Sequence, residues 1–211
     1  MTGVHVTQEK PPSTVSHGQD VVAHTRSLGG GEVVVVDGLP CTSLERTVVD
    51  CCLMMNYRQS LIIVDHALRK GASASKLWET CGSLTGRPGV AALRRALENA
   101  DPRSESPGET LTRDLITRLR IEPPELQVEV PTSEGTYRID LAWRERKLAL
   151  EFDGKVKYFD YAPTDEVIYK ERQRENALVE QGWKVIRIKW RDLFNEQEFK
   201  TRVLRALRRT D

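Results

Sequence analysis

Cysteine is scarce in this chain, and what there is follows no framework. Cys41, Cys51, Cys52 and Cys81 show neither zinc-ligand spacing nor the density of a secreted disulfide scaffold, so a reduced, cytoplasmic protein is expected. No apolar run approaches the roughly 18 residues of a membrane span, and the opening Met1-Thr2-Gly3-Val4 has no signal-peptide character. Histidine is equally thin: His5, His17, His24 and His66 are scattered and receive no metal or catalytic role. An excess of one charge is also missing, because 32 Lys and Arg against 31 Asp and Glu leave a formal net charge of +1. Bulk electrostatics therefore selects no partner. Locally the C-terminal stretch is basic, with Lys184, Arg187, Lys189 and Arg191 followed by Lys200, Arg202, Arg205, Arg208 and Arg209. Such a cluster can contact phosphates, or it can be a solvated helix face.

What the chain does have is a concentration of acids at one place. Arg138-Ile139-Asp140-Leu141-Ala142-Trp143 and Leu148-Ala149-Leu150-Glu151-Phe152-Asp153-Gly154-Lys155 read as two adjacent strands carrying three carboxylates and a lysine. Side chains alternate along a strand, so register follows from the apolar sets. Matching Ile139, Leu141 and Trp143 to Leu148, Leu150 and Phe152 puts Trp143 opposite Leu148, Leu141 opposite Leu150 and Asp140 opposite Glu151. Asp153 falls two residues further along the same face. Like charges directly opposed repel, and a divalent cation resolves the conflict. Ala142 and Ala149 leave space beside the acids for a ligand. Glu145-Arg146 is a poor tight-turn sequence, but a four-residue loop keeps the parity. The plain alternative is an ordinary solvated sheet face lined by polar residues.

The 211 residues suffice for one domain or two small ones. Residues 7–20 read as a loop or arm between short strands at Gly3–Val6 and Val21–Thr25. Glu32–Val36 reads as a strand ending at the turn Asp37-Gly38. Thr42-Ser43-Leu44-Glu45 has capping-box spacing ahead of a helix carrying Val48, Val49, Cys52 and Leu53. Further helices are expected over Arg58–Lys70, Ser73–Leu84 and Pro88–Ala100. Residues 1–101 thus form a small sheet packed on helices. Asp101-Pro102-Arg103-Ser104-Glu105 marks the boundary to residues 102–211. There the expected order is helix (Pro107–Leu119), three strands (Glu125–Pro131, Thr136–Trp143, Lys147–Asp153), helix (Asp165–Gln181), strand (Lys184–Trp190) and helix (Glu196–Arg209). Helices flanking a mixed sheet make the fold class α/β.

This second half resembles the PD-(D/E)XK, or restriction-endonuclease-like, superfamily. Ile139-Asp140, Glu151-Phe152-Asp153-Gly154, and Arg172-Gln173-Arg174 running to Gly182-Trp183-Lys184-Val185-Ile186-Arg187 look like its very-short-patch-repair-like branch. Val35-Val36-Asp37-Gly38-Leu39-Pro40, Arg46-Thr47-Val48-Val49-Asp50 and Ser106-Pro107-Gly108-Glu109 resemble actinobacterial AbiEi-type antitoxin or abortive-infection proteins. That group often begins with a winged-helix DNA-binding domain, of which this chain shows no segment.

The resemblance implies a Mg²⁺ (or Mn²⁺) dependent DNA endonuclease or nickase, possible contexts being phage defence and toxin–antitoxin systems. Asp140 and Glu151 become metal ligands, Asp153 a third ligand or water positioner, and Lys155 a stabiliser of transition-state charge. Strict Glu-x-Lys spacing puts Asp153 where the lysine belongs, so Lys155 is reached only by reading Asp153-Gly154-Lys155 as the signature. Glu109 is either a capping-box residue or a further acid aimed at the metal. Lys157 is a phosphate contact or a surface lysine. Arg172 and Arg174 clamp DNA or pair with Glu171, Glu175 and Asp165, while Arg187 and Lys189 are further DNA contacts. Gln127 can face the same cleft, without a necessary role. Trp143, Trp183 and Trp190 are expected in the core. The alternative to an enzyme is a non-catalytic DNA-binding regulator, and the N-terminal half is a candidate surface for a protein partner.

Overall fold

Asp37 and Gly38 adopt the positive φ values, 50° and 81°, that a two-residue hairpin turn demands. They join β3 (Val33–Val36) to β4 (Leu39–Thr42) in antiparallel register, with Val36 opposite Leu39. The computed structural model describes residues 3–10, 20–154 and 165–208. A separate parallel ribbon pairs β1 (Val4–Gln8) with β2 (Val21–Thr25). The expected single small sheet is therefore two ribbons. Its failure has a local cause: a run of four valines has no period-two pattern, so neither face is directed inward. All four remain exposed, Val35 most at 72%.

Helices α1 (Leu44–Cys52), α2 (Tyr57–Arg69), α3 (Ala74–Ser83) and α4 (Val90–Glu98) bury Val48, Val49, Cys52, Leu61, Val64, Leu77 and Leu93 together. The start of α1 differs from the expected cap. Ser43 rather than Thr42 accepts the backbone N–H three residues on, from Arg46, and Glu45 instead accepts the Ser73 N–H at 2.9 Å, just before α3. All four cysteines are free.

The remaining elements are α5 (Pro107–Arg118), β5 (Glu125–Thr132), β6 (Gly135–Trp143), β7 (Leu148–Phe152), α6 (Asp165–Glu180), β8 (Lys184–Ile188) and α7 (Glu196–Arg208). The four strands form one mixed sheet in the order β5-β6-β7-β8, antiparallel except for the β7–β8 pair. Seven helices and these sheets, among the described residues, make the protein α/β. The β6–β7 register is the expected one, Leu141 to Leu150, Ala142 to Ala149 and Trp143 to Leu148. A four-residue connection preserves it: a 3₁₀ turn over Arg144–Arg146, closed by Lys147 at φ 44°.

Both sheet faces are covered, which corrects two expectations. Leu126, Leu141, Leu150 and Ile186 pack with Leu115 of α5 and Phe199 and Val203 of α7. Val128, Ile139, Ala142 and Ala149 pack with Leu178 of α6 and Trp183. Ile139 thus leaves the set of Leu141 and Trp143, and the space beside Ala142 and Ala149 is filled by core rather than open to a ligand. The swap of faces between Leu126 and Val128, and between Leu141 and Ile139, brackets Gln127 and Asp140. Among the described residues no helix is long and apolar enough to cross a membrane.

A polar seam joins the two groups of elements. Asp65 of α2, only 1% exposed, accepts from the Asp101 N–H, the Thr110 hydroxyl and Arg113 Nη2, each at 2.8 Å. Burial raises its carboxyl pKa in spite of Arg113. Tyr57 of α2 donates to Asp114 of α5 at 2.7 Å.

Candidate functional site

The β6–β7 ladder stops at Leu141 and Leu150, and the next pair in register is Asp140 and Glu151. There a side chain replaces a backbone carbonyl. Asp140 Oδ2 accepts the Phe152 N–H at 2.9 Å, which holds the carboxylate between the parting strands. Burial pushes the Asp140 carboxyl up to about 6; the Phe152 N–H opposes the rise and the Glu109 charge adds to it. Burial, then the neighbouring Asp140 charge, pushes Glu151 up to about 8, and Arg187 offsets only part of that. The two carboxyls resist carrying two negative charges together. Glu151 Oε1 is also shut off from solvent, without a hydrogen-bond partner among the described residues.

Helix α5 delivers a third acid. Ser106 caps it, accepting the Glu109 N–H at 3.2 Å, with Pro107 at the first helical position. The Glu109 carboxylate then reaches past the cap to the Glu105 N–H at 2.9 Å. It is 7% exposed, and its charge raises the pKa of both Asp140 and Glu151. The capping-box reading is corrected in one respect: the carboxylate binds the Glu105 N–H rather than the Ser106 N–H of the cap, and its charge bears on the acid pair. Gly108 makes this approach feasible. A Cβ there would lie 1.9 Å from the Phe152 ring, so the first turn of α5 sits against the end of β7 at a distance that only glycine permits.

Gln127 completes the surroundings. Its neighbours pair regularly, Leu126 to Leu141 and Val128 to Ile139, which puts Gln127 opposite Asp140 in register although that pair is absent from the ladder. Its φ is 53°, a left-handed value in the interior of a strand, and such strain concentrates at functional sites. Its Nε2 donates to Glu109 Oε2 at 2.8 Å. The same register row continues through Glu151 to Arg187 on β8.

The other sequence-derived residues lie around this centre. Asp153 follows the end of β7, half-buried, with its N–H on the Ile188 carbonyl at 2.8 Å. Lys155 and Lys157 lie outside the described residues, as does the side chain of Arg174. Arg172 is exposed on α6 and Lys189 is exposed after β8. Arg187 pairs with Glu175 of α6 at 2.7 Å. Trp143 and Trp183 are core residues, and Trp190 meets the Phe152 ring edge-on at 5.0 Å. A cavity of about 500 Å³ elsewhere, lined by Arg26, Gly29–Gly31, Arg46 and Asp50, contains none of these acids. Arg46 there is spent on Asp50, Glu32 and the Ser27 carbonyl.

Among the described residues no three Asp, Glu, His or Cys are gathered as a ready-made metal cage. The donor set nonetheless suits a hard cation that keeps part of its water shell. Mg²⁺ is commonly held by one or two carboxylates with water and substrate phosphate completing the shell. Asp140 and Glu151 supply those carboxylates, and the orphaned Glu151 oxygen is an acceptor that such an ion or its water would satisfy. Sequence reasoning reached Asp140, Glu151 and Glu109 but missed Gly108, whose only signal was its place beside Glu109. Comparison of the chain with protein-family models, curated proteins and solved structures finds no match.

Proposed function

We propose that the protein is a Mg²⁺- or Mn²⁺-dependent DNA endonuclease or nickase, with residues 102–211 carrying the chemistry and residues 1–101 offering a surface to a protein partner. The observation that carries this reading is the Asp140–Glu151 pair at the parting of two strands, half-buried, mutually repulsive and with one shielded acceptor unpartnered among the described residues. Phosphodiester hydrolysis needs charge neutralisation at the phosphate and an activated water, both of which a bound divalent ion supplies. Asp140 and Glu151 would hold the ion, and Glu109 would add negative field from the α5 side. The Phe152 N–H fixes the Asp140 carboxylate, so that its geometry is set before any ligand arrives. Arg172 and Lys189 are exposed cations suited to the flanking phosphates. DNA as substrate, and a phage-defence or toxin–antitoxin setting, rest on the motif resemblance.

The test is plasmid nicking. Purified protein with Mn²⁺ or Mg²⁺ is expected to convert supercoiled plasmid to nicked or linear forms, EDTA to stop it, and Asp140→Ala or Glu151→Ala to lower the rate by at least about a hundredfold, on the scale at which an electrostatic contribution to the transition state is lost. Undiminished cutting by both variants would remove this site from consideration. Position 153 holds Asp where Glu-x-Lys spacing puts the lysine, and this favours a second reading, a non-catalytic DNA-binding regulator. Salt-sensitive DNA binding without cleavage, indifferent to EDTA and to both substitutions, would be its signature.

A further inference from the structure

Three buried side-chain polar atoms lack a hydrogen-bond partner among the described residues, and two of them, Gln127 Oε1 and Glu151 Oε1, belong to the residues surrounding Asp140. Both are acceptors. Buried acceptors left open point to a missing donor or cation, since native interiors satisfy nearly all such groups.

The orientation of the Gln127 amide is not arbitrary. Glu109 Oε2, already accepting the Glu105 N–H, offers lone pairs only, so the atom facing it at 2.8 Å is the Gln127 NH₂. That choice turns the amide oxygen away from Glu109 and leaves it shielded and unpartnered. The backbone is bent to achieve this. Arg120, Asp37 and Lys147, the other non-glycine residues with positive φ among those described, fall outside strands, whereas Gln127 adopts 53° inside β5 and interrupts the ladder at Asp140. A purely structural glutamine would gain nothing from a strained backbone, a lost ladder pair and an open oxygen at one position.

We infer that Gln127 is part of the cation site: its Oε1 supplies a neutral oxygen to the ion or to a water in the ion's shell, and its Nε2 keeps Glu109 turned toward the acid pair. The inference rests on the reading of Asp140 and Glu151 as ion ligands. It assigns the β5 strand a role in the site and explains why strain is retained there. Residues that orient ligands commonly cost 10–100-fold in metal affinity when removed.

Mn²⁺ titration of the full-length protein, followed by calorimetry and by the electron paramagnetic resonance of free Mn²⁺, tests this directly. Gln127→Gly removes the side chain while suiting the left-handed φ. The expected result is at least a tenfold weaker Mn²⁺ affinity with an unchanged or higher melting temperature in EDTA. A structural role predicts the reverse, unchanged affinity and a lower melting temperature. Gln127→Asn, which tolerates the same φ but is one methylene shorter, should weaken Mn²⁺ binding in the same direction and serves if the glycine variant does not fold. Wild-type affinity in both variants, alongside loss of binding in Asp140→Ala, would overturn the role of Gln127 and leave the site standing. Wild-type affinity in Asp140→Ala and Glu151→Ala as well would overturn the site itself.

Discussion

At the scale of single residues, the acid pair makes stability depend on pH. A carboxyl whose folded pKa exceeds its unfolded value stabilises the fold while protonated. For Glu151 that contribution is complete below the ordinary 4.5 and is lost as pH rises through about 8. Asp140 adds a smaller loss that ends near 6. The melting temperature in EDTA should therefore fall between about pH 5 and about pH 8, and Glu151→Gln should flatten the slope. Added Mn²⁺ should raise the melting temperature more at the alkaline end, where both carboxylates are ionised. A flat profile, identical in the variant, would mean that Glu151 is not held in this environment. These acids were legible because the apolar residues around them fix the register. The orientation of Asp140 was not, since the Phe152 N–H that holds it becomes available only where the ladder fails. Gln127 was expected toward the cleft, but its left-handed φ was equally hidden, because nothing in the residue's identity announces it.

Among elements, the decisive contact is the first turn of α5 against the end of β7. Gly108 and Phe152 touch where a methyl group would not fit, so the position of Glu109 relative to Glu151 depends on one missing side chain. Gly108→Ala must displace Phe152 or the helix start. A loss of about 1–3 kcal/mol is expected, the range for overpacking, measured as a lower urea midpoint at unchanged slope. Mn²⁺ affinity should fall with it. An unaltered midpoint would show that the contact is looser than described. Element order and most boundaries in residues 102–211 could be read from sequence because β6 and β7 have clean apolar sets and α5 has an explicit Ser-Pro-x-Glu start. In the N-terminal part β1, β2, β3 and the Asp37-Gly38 turn were legible, but β4 and the division into two ribbons were not. Val33–Val36 carries no face preference, and β1 pairs with β2 across a connection that leaves no local sequence signal. The swap of faces at Gln127 and Asp140 defeats parity reasoning for Ile139 in the same way.

For the molecule as a whole, the seam at Asp65 decides how the N-terminal helices sit on α5. Asp65→Ala would strand the Arg113 guanidinium, itself only 15% exposed, beside Thr110 and the Asp101 backbone. Removing one member of a buried pair costs about 3–5 kcal/mol, so the urea midpoint should drop sharply, and Asp65→Asn should recover part of the loss. Because Thr110 and Arg113 stand within four residues of Glu109 on the same helix, Mn²⁺ affinity should weaken too, though less than in Asp140→Ala. The contacts named along this seam are ion pairs and hydrogen bonds, Asp65 with Arg113 and Tyr57 with Asp114, between two separate apolar clusters. Such a junction fixes an angle more than it supplies cohesion. Were the chain divided there, Asp65, Thr110 and Arg113 would be handed to water, which can solvate all three.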